Sequence, residues 1–240
     1  MTSSFWKSYL AEFVKVRHSL LLRLHLILPV VIVSLVTLYL WMRPDQLAFS
    51  NIASVFFELL GFGIPFLIAV FCGLKAQQEQ EAGGSQNMLR STRMKAASIL
   101  SQLCMLATLG LLALGGTVMG MYAAMKWLLG TPDLDAGAML RMGLLTAAGM
   151  IICYAIYLIL AYLIGLGGCS LLGFVGMIAA ALSLTSLGDQ IWLYVPWSWP
   201  IRLSSGLYMD QLPIIGAVTL IVVAVSALWF QTWNGRPASD

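Results

Sequence analysis

MGLLTAAGMIICYAIYLILAYLIGLGGCSLLGFVGMIAAALSLTSL, from Met142 to Leu187, runs for 46 residues without one charged side chain. As an α-helix at 1.5 Å per residue it would measure roughly 69 Å, more than twice the approximately 30 Å hydrocarbon core of a bilayer. A single crossing has no use for that length. The stretch reads as two crossings, with Gly165-Leu166-Gly167-Gly168 marking the break between them.

Working outward, the same reading extends to the rest of the chain. Leu24 to Met42 supplies 19 uncharged residues, and Ala96 to Met125 supplies 30. A further span begins near Ile52 and ends at Lys75, with Glu58 in its outer part, and a last one occupies Gln211 to Gly235. The expected fold is therefore an all-α polytopic membrane protein with six transmembrane helices. Composition agrees: 60% of the residues are hydrophobic and 10% charged, against about 25% charged in soluble domains. Mean hydropathy is +0.89. So few charges cannot cover a soluble globule of 240 residues, which excludes a soluble enzyme, a nucleic-acid module and a disordered chain.

Lysines and arginines near helix ends set the orientation. With the N-terminus in the cytoplasm, nine of the 13 basic residues fall inside and four (Arg43, Lys126, Arg141, Arg202) fall outside. Both termini are expected to be cytoplasmic. Before the first span, Phe5, Trp6, Tyr9, Leu10, Phe13 and Val14 recur at helical spacing, with Lys7, Glu12, Lys15 and His18 largely on the other side. Residues 1–22 thus read as an amphipathic helix lying at the inner headgroup level; a cytoplasmic extension of the first span is the competing reading. The long charged start and the lack of a small-residue cleavage site argue against a cleavable signal peptide.

Chemistry-bearing motifs are sparse. No P-loop, HExxH or GxSxG occurs, so nucleotide hydrolysis, zinc proteolysis and serine-elbow catalysis have no seat in this sequence. Cys72, Cys104, Cys153 and Cys169 lie in apolar stretches and read as small core residues. Asp133-x-Asp135 reads as a solvated turn beside Pro132, not as a metal pair. His18 and His25, seven apart, share a helix face without acidic or cysteine company and read as interfacial polar residues. No catalytic residue, metal site or nucleic-acid interface is expected.

Four features could carry function. Glu58 is the one acid at possible membrane depth, where a charge is costly and marks a functional site; alternatively the helix starts near Leu59 and Glu58 is wet. Gly61, Gly63 and Pro65 follow, and should soften that helix. Small-residue rows, Gly116-x-x-x-Gly120, Gly165-x-x-x-Cys169-x-x-x-Gly173 and Gly176-x-x-x-Ala180, signal close helix packing. The outer segment 188–212 holds Trp192, Tyr194, Trp197 and Trp199, together with Pro196 and Pro200. Those aromatics suit an interfacial belt, and the prolines suit short pieces dipping into the outer leaflet. The fourth feature is the inner polar segment from Lys75 to Lys95, KAQQEQEAGGSQNMLRSTRMK, acids first and bases after a glycine pair.

The arrangement E-x-E-x-G-x-x-x-x-x-L followed by Arg and Lys resembles the cytoplasmic segment between the second and third spans of type-2 ABC exporter permeases. Within that group, QEQEAGGSQNML after GFGIPFLIAVFCGL is most similar to the lantibiotic-immunity permeases, the E- and G-type subunits. The resemblance implies one permease domain over residues 1–240, a coupling helix in 75–95, and re-entrant outer helices in 188–212. It implies that Lys75, Glu79, Glu81, Gly83, Leu89, Arg90 and Arg93 dock and transmit to an ABC ATPase present in two copies, in which ATP and magnesium are used. This chain itself would bind no cofactor and would not be an enzyme. A sister permease or a second copy, the lipid bilayer and a lantibiotic peptide would be its other partners, in a bacterial plasma membrane. Glu58, Trp192, Tyr194, Trp197 and Trp199 would line the substrate path. The short outer loops depart from permeases with large extracellular domains. Other readings are an exporter of this type for another drug, lipid or ion, and a membrane-embedded enzyme or assembly factor that works without an ATPase.

Overall fold

The computed structural model describes residues 2–83 and 95–233. Among them all regular structure is helical: α1 (Thr2–Val16), α2 (Leu20–Trp41), α3 (Phe49–Glu81), α4 (Lys95–Trp127), α5 (Ala136–Ser183), the short α6 (Trp199–Ser204) and α7 (Leu212–Thr232), with single 3-10 turns between. Five of these (α2, α3, α4, α5, and Met209–Thr232 around α7) are long and apolar enough to cross a membrane. Helix is what apolar sequence must form in lipid, because it pairs its backbone groups within the segment. Pro29 and Pro65 sit inside α2 and α3 without ending them; each leaves one carbonyl unpaired, which membrane helices tolerate when neighbouring groups satisfy it.

The 46-residue uncharged run forms most of α5, and its break falls where the glycines stand. Gly165 has φ +74° and ψ −175°, a conformation an L side chain resists. There the helix doubles back: the Tyr157 hydroxyl donates to the Leu172 carbonyl at 3.3 Å, and the Cys169 thiol meets the Tyr157 carbonyl at 3.6 Å. In a straight helix, residues 15 apart would be separated by about 22 Å. The arms 136–164 and 166–183 therefore lie against each other. The second arm also packs on α3, where Gly173 faces Ala69 and Phe66.

Several expectations change at this level. The helix break at 17–19, with Ser19 in extended conformation, makes α1 a separate element and not an extension of the first span. It also ends at Val16, short of residue 22, so His18 and His25 do not share a helix face. Lys75, Glu79 and Glu81 are not in a separate loop. They form the last two turns of α3, whose 33 residues measure about 50 Å and outrun a bilayer core. α3 runs unbroken through Gly61, Gly63 and Pro65, and Gly61 admits the backbone of Ile201, so that glycine serves close packing.

Candidate functional site

Two polar constellations stand at opposite ends of the helical body. The first is built by α1 and α3. Lys75 and Glu79 are one turn apart on α3, as are Glu12 and Lys15 on α1, so each helix offers an acid and a base to the other. The Lys75 Nζ lies 2.6 Å from Glu12 and 2.5 Å from Glu79; the Lys15 Nζ lies 2.8 Å from Glu12 and 3.0 Å from Glu79. Lys75 is wholly buried, with Glu12 at 3% and Glu79 at 6% exposure. The Gln78 amide adds a hydrogen bond to the Lys15 carbonyl at 2.8 Å. Burial works to lower the Lys15 pKa, but Glu12 and Glu79 more than offset it and hold the amine above the ordinary lysine value. Two positive and two negative groups thus neutralise each other where an unpaired charge could not remain.

This corrects two expectations. Glu79 is not a solvated acid free to meet a partner, since its carboxylate is consumed by Lys75 and Lys15. Glu12 does not belong to a polar outer face of α1, because it turns inward onto Lys75. Glu81 remains on the surface and accepts from the Gln77 amide at 2.7 Å. A cleft of about 320 Å³ opens beside it, lined by Gln77, Gln80, Glu81 and the Gly165 elbow among others. Gly83, at φ +136°, follows the end of α3. Leu89, Arg90 and Arg93 lie outside the described residues. Lys95, which starts α4, donates to the Trp233 carbonyl at 2.8 Å, and Tyr162 of α5 packs its ring on Phe230 and Trp233 while bonding Gln102 at 2.6 Å. Parts of α1, α3, α4, α5 and the chain just after α7 therefore meet at this end.

At the other end, the aromatic segment folds into 3-10 turns at Trp192–Tyr194 and Pro196–Ser198 and then α6. It is wedged between α3 and the first arm of α5, where Gly61 faces Ile201 and Gly149 faces Trp199 and Pro200. Arg202 anchors it: the guanidinium donates to the Ser183 carbonyl, to Asp189 at 2.8 Å and to the Tyr208 hydroxyl at 3.1 Å. Trp192 and Trp199 are buried, the latter donating its indole N–H to the Leu193 carbonyl at 3.0 Å. Here neither offers its ring to a ligand or to an interfacial belt, contrary to both sequence readings. Trp197 is half-buried against Tyr157 and Gly176, and Tyr194 alone of the four is fully outward.

Glu58 lies one turn before Gly61 on α3, near the aromatic segment along the helix, but on an exposed face. α3 begins at Phe49, nine residues earlier, so the alternative of a helix starting near Leu59 does not hold. Its carboxylate accepts from Ser54 at 2.7 Å on an exposed face shared with Val55 and Leu59. Glu58 and Trp197 are not brought into one cavity: one faces outward from α3, the other packs on α5.

Other expectations resolve locally. Asp135 caps α5 by accepting from the Ala138 amide at 3.0 Å, which accounts for the acid pair as turn chemistry. No cluster of potential metal ligands occurs among the described residues. His25, read as interfacial, is instead buried within the bundle and stacks on Phe71 at 3.9 Å. Sequence reasoning missed the pairing of Glu12 with Lys75, because 63 residues separate them. The only available signal was an acid on the basic helix and a base at the end of an apolar run. No protein-family model, no curated protein and no solved structure matches the chain.

Proposed function

We propose that this chain is the membrane subunit of an ATP-driven exporter, with six crossings, both termini cytoplasmic, and α1 lying along the inner surface of a bacterial plasma membrane. The Gly165 elbow supports the count, since each arm of α5 is long enough for one crossing. Trp6, Leu10 and Val14, exposed along one edge of α1 near Lys7, suit a headgroup-level position.

One observation carries the reading: the buried Glu12–Lys15–Lys75–Glu79 cluster joins α1 to the α3 terminus from which the polar 75–95 segment departs. A partner pushing on that segment would move α3 and α1 together, because separating them strands buried charges. In this reading an ATPase pair, using ATP and magnesium, docks at Glu81, Gly83 and the adjacent cleft, while Lys75 and Glu79 act inside the chain as a rigid joint. Leu89, Arg90 and Arg93 are proposed to complete the docking surface. The substrate is a cationic amphipathic peptide of the lantibiotic class, lifted from the outer leaflet near Tyr194 and Trp197. A sister permease or second copy covers the exposed Glu58 face.

The test pairs two measurements. Affinity capture of the tagged chain from its native membrane should retain a P-loop ATPase, and Glu81→Lys should abolish protection of cells against a cationic lantibiotic at unchanged membrane level. Capture without an ATPase, together with full protection by Glu81→Lys, would refute the exporter reading.

A further inference from the structure

α2 and α4 pack closely where Gly120 faces Val33 and leave open space on either side of that contact. A groove between them has two stretches: about 570 Å³ beginning at Leu22 and His25, and about 440 Å³ reaching Trp41 and Trp127. The stretches share Val33, Ser34 and Gly120, and the close approach of Val33 to Gly120 stands between them. Taken together, the two stretches run from Leu22 to Trp41, about 28 Å, close to one hydrocarbon thickness. Their walls are almost entirely apolar. A Cβ placed on Gly116 would meet nothing within 4 Å, so the small-residue row of α4 faces open space there and no packed helix.

Two buried polar groups along this groove have no partner among the described residues: Nε2 of His25 and the hydroxyl of Thr37, with the residues 3% and 7% exposed. His25 lines the groove and also a smaller cavity of about 70 Å³ toward α3, so it stands on the wall between them. Its Nδ1 is 2.8 Å from the Leu21 carbonyl. A carbonyl only accepts, so Nδ1 carries the proton, and in the neutral ring Nε2 is an acceptor. An unmet acceptor in apolar surroundings is costly and favours whatever supplies a donor.

We propose that the α2–α4 groove binds an amphiphile whose hydrocarbon chain lies beside Val33 and Gly116 and whose polar end donates a hydrogen bond to His25 Nε2. A hydroxyl or a protonated amine satisfies that atom; an ether or a carboxylate does not. Nε2 is covered by its neighbours, so the donor reaches it through a side-chain rotation in the groove wall, a common adjustment on binding. Both groove helices are long and apolar enough to cross a membrane, so the occupant is a bilayer lipid with a hydroxyl or amine headgroup. This inference does not depend on the exporter reading.

The test uses the purified full chain in lipid nanodiscs, with hexadecanol, its methyl ether and palmitate as probes. Binding is read by thermal shift and by the ¹⁵N resonance of His25. Hexadecanol should bind about tenfold tighter than the ether, the ratio that one hydrogen bond supplies, and should move the Nε2 resonance. His25→Leu should abolish that preference while still taking up the ether. Gly116→Leu should weaken both, with Gly116→Ala, which leaves the groove open, as the fold control. In discs mixing phosphatidylethanolamine with phosphatidylcholine, native mass spectrometry reads which lipid is retained. Retention of the amine lipid, lost in His25→Leu, supports the bilayer lipid, and hexadecanol binding with neither lipid retained would overturn it. Equal affinity for alcohol and ether, a preference for palmitate, or indifference to Gly116→Leu would each overturn the proposal.

Discussion

Lys75 shows how one residue can be decisive in an apolar chain. Its amine has no exposure and touches two buried carboxylates, Glu12 and Glu79. Removing it leaves two negative charges facing only Lys15, which is 40% exposed. Breaking a buried pair by deleting one partner costs about 3–5 kcal/mol, because the remaining charge is stranded. Lys75→Met should therefore lose roughly that much stability, whereas Glu81→Gln, at the surface two residues beyond Glu79, should stay within about ±0.5 kcal/mol. Denaturant or thermal unfolding in a mild detergent measures both. Comparable losses for the two variants would mean that the cluster is no more than a solvated set of charges. Glu79→Lys is a poor probe of partner docking for the same reason, since it disrupts the joint before it tests a surface.

Among the elements, the short outer segment shows the most specific fit. α6 is gripped between two glycines: a Cβ on Gly61 would come within 2.5 Å of the Ile201 Cα, and one on Gly149 within 2.6 Å of the Pro200 nitrogen. A backbone atom cannot step aside as a side-chain tip does. Gly61→Val should push α6 out of its cleft at an overpacking cost of roughly 1–3 kcal/mol and raise quenching of tryptophan fluorescence as Trp199 is uncovered. Gly63→Val is the matched control, because nothing lies within 4 Å of a Cβ there. Equal behaviour of the two variants would show that helix propensity, and not the close approach, decides the outcome.

For the whole molecule, the alternation of helices makes sidedness testable. Leu134 and Ser205 lie in the connections at the α6 end, whereas Ala82 follows α3 at the α1 end. Single cysteines at positions 134 and 205, in a background lacking the four native ones, should react with an impermeant maleimide added outside intact cells. A cysteine at position 82 should react only after the membrane is opened. Labelling of position 82 in intact cells would overturn the six-crossing arrangement and the nine-to-four basic bias on which the orientation rests.

Fold class was legible because it depends on quantities a linear sequence states outright: uncharged run length, charge placement and the positions of glycine. The 46-residue run and Gly165 announced a doubled helix, and the structure turns there because that glycine adopts a positive φ. The sites were less legible, for a physical reason in each case. Whether Glu79 is solvated depends on Glu12 and Lys15, which are brought to it by the turn at 17–19. Whether Trp192 and Trp199 form a belt or line a path depends on packing by distant residues: Trp199 enters the cleft between α3 and α5, and Trp192 lies against Tyr208. His25 looked interfacial because it has no acidic or cysteine company in the sequence, yet in the fold it is buried and stacks on Phe71 from another helix. Local hydropathy determined that these helices form and how long they run. Only the packing of one helix on another decided which charges are neutralised, which aromatics are hidden and where a groove stays open, since those outcomes belong to pairs of residues distant in the chain.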